Sequence, residues 1–251
     1  MKNSLKMTGN LYNLSGKKIL VTGASSGIGR EIANLAAGFG ADLIITGRNT
    51  ERLGQVLSGL QPGDHKVVVS DLTKTDNIDQ LVSMAGKLDG VVHSAGITAY
   101  MPVQFINEKS IGELMKINFE APVTLTARLL RKKKIIDGGA IVFLSSIATK
   151  YPYFGGAMYA ASKSALEGYA RVLALELAPR KIRVNCLSPA FVETEMLKGA
   201  KGTVNNEGID QYESFLPLGF GKPEDVAKAA VYFLSDHSAW ITGENLKMGA
   251  F

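Results

Sequence analysis

Lys18-Ile19-Leu20-Val21-Thr22-Gly23-Ala24-Ser25-Ser26-Gly27-Ile28-Gly29, running on into Arg30–Phe39, decides the fold. Lys18–Val21 is a short apolar run of strand type, and Ile28–Phe39 repeats its apolar residues at helical spacing. A strand that feeds a glycine turn and then a helix start makes an anion site. Backbone N–H groups point out of the helix N-terminus, and its dipole favours negative charge. Glycine is needed where a Cβ would hold backbone and phosphate apart. Gly23, Ser25, Ser26, Gly27, Ile28 and Gly29 are therefore the expected cradle. Their spacing is G-x-x-x-G-x-G rather than G-x-G-x-x-G, and a glycine turn without a ligand would read the same way.

Outward from this turn the chain alternates short β-branched runs with longer amphipathic ones. Asp42–Thr46, Lys66–Ser70, Gly90–His93, Ala140–Ser145, Arg183–Leu187 and a short run at Asn245–Met248 read as strands. Glu51–Leu60, Thr75–Lys87, Ser110–Lys134, Met158–Ala178 and a segment opening at Pro223 read as helices. This β-α rhythm predicts one α/β domain, a doubly wound parallel sheet with helices on both faces, after an N-terminal extension over 1–16. The glycine-rich stretch 195–220, with Met196, Leu197, Tyr212 and Phe215, interrupts the rhythm and predicts a lid over the substrate.

Composition excludes several classes. The 251 residues are 46% hydrophobic and 20% charged, ordinary globular values. A single cysteine, Cys186, rules out a disulfide framework within the chain, and three scattered histidines (His65, His93, His237) predict no metal site. The first sixteen residues lack the apolar core of a signal peptide, and no run is long enough to span a bilayer, so the expected location is cytoplasmic with no membrane partner. The net charge of +5 chooses no partner, and the cations lack the interleaved aromatics of a nucleic-acid binder.

The second strand ends at Arg48-Asn49 with no acidic residue beside it. A carboxylate there would bind a ribose 2′-hydroxyl and repel a 2′-phosphate, whereas arginine binds the phosphate, so NADP(H) is expected over NAD(H). Further on, Tyr159 and Lys163 lie four residues apart on one helix, so phenol and ammonium share a face. The ammonium is expected to lower the phenol's pKa and make a proton donor and acceptor suited to carbonyl chemistry.

Thr22-Gly23-x-x-x-Gly27-x-Gly29, Asp71-Leu72, Ser94-Ala95-Gly96, Asn118, Ser146, Tyr159-x-x-x-Lys163 and Arg183-Val184-Asn185 leading to Pro189 come in order along one chain. From about Gly16 to Met248 it resembles the short-chain dehydrogenase/reductase family. The resemblance implies a single-domain Rossmann fold with seven strands. It implies Tyr159 as proton donor and Ser146 as the hydroxyl on the carbonyl oxygen, with Ser145 the competing choice. Lys163 would hold the nicotinamide ribose and Asn118 a relay water. Asn49, Asp71, Leu72, Ser94, Ala95 and Gly96 would lie along the adenosine and ribose, and Pro189, Val192 and Thr194 along the nicotinamide amide. Three departures stand out: His93 for the usual first Asn, Ala190 for the glycine after Pro189, and the ending Gly249-Ala250-Phe251.

Pro223-Glu-Asp-Val-Ala and Ile241-Thr-Gly resemble bacterial 3-oxoacyl-[acyl carrier protein] reductases most. That implies a carbonyl substrate, carried or free, and a homo-oligomer, dimer or tetramer. Arg128, Arg131, Lys132, Lys133, Lys134, Arg180 and Lys181 are the expected docking patch for an acidic carrier, although such a run also suits a helix C-terminus alone. The alternatives are a reductase of a sugar, polyol, steroid or other small ketone, and an idle NADP-binding regulator, which the intact Ser146, Tyr159 and Lys163 argue against.

Overall fold

The computed structural model describes residues 12–197 and 216–249. Seven parallel strands form one sheet: β1 (Lys18–Thr22), β2 (Asp42–Gly47), β3 (Lys66–Val69), β4 (Leu88–His93), β5 (Ile135–Leu144), β6 (Arg183–Pro189) and β7 (Asn245–Met248). Their order is β3-β2-β1-β4-β5-β6-β7. Progress along the sheet therefore reverses between β1 and β4, which pair directly through Ile19↔Gly90 to Thr22↔His93. That is the crevice where ligands bind in open α/β sheets.

The strands are apolar at nearly every position because both faces are covered. Alternate residues go to opposite sides. Ile19, Val21, Leu43, Ile45, Val92 and Val142 pack with helices α1 (Gly27–Gly38), α2 (Thr50–Gly59) and α7 (Pro223–Leu234). Leu20, Ile44, Val91, Ile141, Phe143 and Val184 pack with α3 (Thr75–Met84), α5 (Ala121–Arg131) and α6 (Ala157–Leu177). Each fully buried Leu or Ile contributes roughly 1.5–3 kcal/mol, so either face alone outweighs any surface ion pair. Leu14 belongs to the first core and its N–H donates to the Phe39 carbonyl at 2.9 Å, so the packed domain reaches back past the expected start at 17.

Three expectations of length change. The helix expected over Ser110–Lys134 is α4 (Glu108–Met115), a π-helical turn Lys116–Glu120, and α5. Pro122 lies at the start of α5 and has no N–H to give the carbonyl four residues back, that of Asn118, so the α-helical ladder breaks there. α3 stops at Met84 rather than Lys87, where Gly86 takes a left-handed φ of 63°. β5 begins at Ile135, but its register against β4 slips between Leu88 and Gly90, absorbing Asp137-Gly138-Gly139, and regular pairing resumes at Ala140.

Buried Arg183 donates to the carbonyls of Phe233, Ser235 and Ser238, and Asn185 bonds Ile241 O and Glu244 N. Both thus tie the C-terminal segment to β6. His93 stacks on Phe143 with centroids 4.7 Å apart, and its Nε2 meets Thr126 Oγ1 at 2.9 Å. Its Nδ1 has no partner, and burial pushes the imidazole down to about 3. An unfolded chain takes up this proton near pH 6.5, whereas the folded one takes it up only near pH 3. Stability should therefore fall as pH drops between those values, by up to about 1.4 kcal/mol per unit from this one group. In urea titrations from pH 6.5 to 5, His93→Leu should flatten that slope.

Candidate functional site

Thr22 Oγ1 accepts the N–H groups of Ser94 and Ala95 at 3.1 and 3.2 Å and donates to Val92 O. One hydroxyl thus holds the ends of β1 and β4 together as the chains leave in opposite directions. Above them lies a cavity of about 1260 Å³ at the C-terminal edge of the sheet.

One half of this cavity is backbone and small side chains: Gly23, Ser25, Ser26, Gly27, Ile28 and Gly29, with Arg48, Leu72, Ser94, Ala95 and Gly96 beyond. The glycines are packed tight. A Cβ on Gly29 would come 2.4 Å from the Gly23 carbonyl oxygen, and one on Gly23 would come 2.7 Å from Ala95 Cα. Gly23 and Gly27 also have left-handed φ values of 66° and 53°. The N-terminus of α1 carries no acidic side chain in its first turn, and Ser26 makes no side-chain cap bond, so its N–H groups and dipole face the cavity uncompensated. This donor set fits a dinucleotide pyrophosphate.

The other half carries the reactive side chains. α6 brings Tyr159 and Lys163 to the cavity with Lys163 Nζ 5.8 Å from the phenol ring centroid. Ser146 follows the end of β5, caps a short 3₁₀ turn (Ile147–Thr149) by accepting from Ala148 N, and lines the cavity together with Tyr159. Ser145 Oγ instead donates to buried Glu167 at 2.6 Å. Pro189, Val192 and Thr194 line the cavity beyond, as does Ala190.

Asn118 and Asp71 lie outside the lining, as does Asn49. Asn118 is buried behind it, clasping both main-chain groups of Ile97 and donating to Ser162 Oγ. It presses against Gly96, where a Cβ would meet its Oδ1 at 3.1 Å. Asp71 Oδ1 accepts from Thr73 N and Oγ1, and that hydroxyl holds the carboxyl below its usual range. Asn49 caps α2 by accepting from Arg52 N at 2.8 Å.

Two expectations are corrected. The Tyr159 pKa is not lowered on balance: burial pushes the phenol up to about 12, neighbouring Tyr153 adds to this, and Ser146 opposes it. The ammonium donates to Leu144 O at 2.7 Å, and burial pushes it down to about 8. The phenol is therefore neutral, a proton donor ready beside a hydroxyl that can hold the same acceptor. The basic cluster is also not at the cavity mouth. Lys132, Lys133 and Lys134 precede β5, and Arg180 and Lys181 precede β6, so they sit at the N-terminal edge of the sheet. Ile135 to Phe143 of β5 runs alongside Leu88 to His93 of β4, which puts that edge roughly 17 Å away by strand rise. Arg128 and Arg180 are further engaged by Asp79 and Asp137.

The expected lid is described only at its ends, 198–215 falling outside the described residues. Val192 bridges Gly221, Phe191 O accepts from Gly221 N, and Met196, Leu197 and Leu216 line the cavity. Sequence reading missed Tyr100 and Phe191 in the lining. The neighbouring Gly155 is a usable signal for the first, because its missing Cβ gives room to the Tyr100 ring, 2.8 Å from that position. Among the described residues no helix is long and apolar enough to cross a membrane, and no cluster suits a metal.

A family model described as Enoyl-(Acyl carrier protein) reductase matches residues 23–249. A 3-oxoacyl-[acyl-carrier-protein] reductase of Rickettsia felis is 33% identical over 237 residues, covering 94% of this chain and 96% of the relative. A solved dehydrogenase/reductase from Sinorhizobium meliloti 1021 matches with a TM-score of 0.87 at 31% identity, over 95% of this chain and 96% of that one. A structure described as an NAD(P)-dependent gluconate 5-dehydrogenase of Beutenbergia cavernae, with NADP bound at low occupancy, matches with a TM-score of 0.84 at 30% identity, over 95% and 97%.

The glycine contacts set a measurable expectation. Overpacking a close contact costs typically 1–3 kcal/mol, so Gly29→Ala should weaken nicotinamide-dinucleotide binding about tenfold or more in a fluorescence titration. Gly38→Ala, with nothing within 4 Å of the added methyl, should leave it unchanged.

Proposed function

Since the chain belongs to the short-chain dehydrogenase/reductase family, whose members oxidise alcohols and reduce ketones with NAD(P), we propose that it uses NADPH to reduce a ketone with an apolar tail, of the 3-oxoacyl thioester kind. The observation that carries this reading is the convergence of Ser146 and Tyr159 on one cavity, with Lys163 beside the phenol.

In this reading the cradle from Gly23 to Gly29 holds the pyrophosphate and Arg48 the 2′-phosphate. Leu72, Ser94, Ala95 and Gly96 flank adenosine and ribose, with Asn49 and Asp71 just outside. Pro189, Val192 and Thr194 lie along the amide. A bound reduced nicotinamide supplies hydride to the carbonyl carbon. The Ser146 hydroxyl donates to the carbonyl oxygen, and the neutral Tyr159 phenol gives it a proton as negative charge builds there. Lys163, which lines the cavity beside the phenol, would hold the ribose and pass a proton to the phenolate that Tyr159 leaves behind. Asn118 offers a relay water its main-chain oxygen, which Pro122 leaves without the usual helical donor.

The lining supports the substrate class. Tyr100, Tyr151, Tyr153, Phe154 and Phe191 give the cavity an aromatic wall suited to an acyl chain rather than to a row of hydroxyls. A carrier protein is not assigned to the lysine cluster, which faces the opposite edge.

NADPH consumption against a panel of ketones tests this reading. Acetoacetyl thioesters should turn over, with polyhydroxy ketones and a crotonoyl thioester slower. Preference for the polyhydroxy ketones would replace the substrate class, and preference for the crotonoyl thioester would replace the reaction. Tyr159→Phe should bind NADPH normally yet lose about 10²–10⁴-fold in kcat, the usual contribution of a placed acid. Arg48→Ala should weaken NADPH far more than NADH, because only NADPH carries the charge that the guanidinium holds. Equal losses would overturn the cofactor preference.

A further inference from the structure

Tyr159, Lys163 and Glu167 repeat every four residues and so share one face of α6. Glu167 is buried at 8% exposure, and three hydroxyls lie on its Oε1: Ser145 Oγ at 2.6 Å, Thr149 Oγ1 at 2.9 Å and Ser188 Oγ at 3.3 Å. Each hydroxyl has one proton to give. Ser188 is closer to Asn245 Oδ1, at 2.7 Å, leaving Ser145 and Thr149 as the principal donors. These two stand on either side of Ser146, one residue before it and three after. Thr149 Oγ1 also lies 3.1 Å from the Ser146 carbonyl oxygen, and Ser145 N is fixed to Leu187 O at 2.7 Å. The segment Ser145–Thr149, with Ser146 inside it, is tied at both ends to the helix that carries Tyr159.

We propose that Glu167 is a positioning residue for the reduction, its carboxylate holding Ser145 and Thr149 so that the Ser146 hydroxyl stays in register with the Tyr159 phenol. Glu167 lies outside the cavity lining and touches no reacting atom; it acts through Ser146. Hydrogen bonds of hydroxyls to a buried carboxylate are charge-assisted and short, so they fix geometry better than neutral ones. An error near 1 Å between reacting groups costs about 10²-fold in rate. The proposal rests on the Ser146 and Tyr159 roles given above.

A double-mutant cycle with Ser146→Ala tests it, with kcat, KM for the ketone and NADPH affinity measured together. Glu167→Leu should lower kcat by about 10- to 100-fold with NADPH affinity unchanged, and Glu167→Gln, which keeps one acceptor oxygen, should recover most of it. In the Ser146→Ala background the Glu167→Leu loss should vanish, because the group it positions is gone. Should Glu167→Leu not fold, the pair Ser145→Ala and Thr149→Val replaces it in the same cycle. Full additivity, or unchanged kcat in the single variants, would overturn the proposal while leaving the ketone reading intact. An unaltered chain that turns over no ketone would overturn both.

Discussion

Thr22 Oγ1 is the point on which the arrangement depends. It holds β4 to β1 at the row where the sheet stops and the two chains diverge, accepting two N–H groups and donating to one carbonyl. A hydroxyl with two lone pairs and one proton is filled by those three bonds. The chain after β1 can then turn over Gly23, whose missing Cβ lets the Ala95 backbone lie against it. Were the strand ends wider apart, the glycine cradle would face solvent; were they closer, no crevice would open. The cavity follows from a reversal in strand order made tight by one side chain.

The second constraint runs through α6. It crosses behind β5 and β6, so a helical face of period four meets the end of each strand in turn. Tyr159 reaches Ser146, Lys163 reaches the last carbonyl of β5 at Leu144, and Glu167 reaches Ser145, Thr149 and Ser188. Asn118 on the π turn approaches from the other side, sharing Ser162 with the same helix. The π turn gives Asn118 a direction that an unbroken helix would not, and Pro122 is its sequence-level cause.

Much of this was legible before any coordinates. Apolar runs of four to six residues followed by helical periods imply covered parallel strands, and the order of glycine turn, Ser146 and Tyr159-x-x-x-Lys163 places the site at their C-terminal ends. What escaped did so for identifiable reasons. Helical periodicity is continuous across Ser110–Lys134, so it hides a π turn unless the proline is weighed against it. Glu167 reads as a surface residue because glutamate usually is one, and only the three-dimensional meeting of Ser145, Thr149 and Ser188 buries it. The place of the lysine cluster is legible from topology. Residues that precede a strand in a parallel sheet lie at the edge away from the site, so topology alone already separated Lys132–Lys134 from the cavity. The pKa of Tyr159 depends on burial against direct bonds, a balance that spacing does not reveal.

Lys163 and Glu167 are themselves an i,i+4 pair of opposite charge, the spacing that ordinarily closes into an ion pair on a helix. Here it does not close. Hydroxyls from two strand ends and a turn crowd the carboxylate, and the Leu144 carbonyl takes one ammonium proton. The fall of the ammonium to about 8 comes first from burial, with Cys186 opposing it. A closed pair would have drawn the ammonium down the helix and away from the phenol. By binding the carboxylate elsewhere, the strand-end hydroxyls leave the cation at the cavity, 5.8 Å from the Tyr159 ring, with protons still to donate.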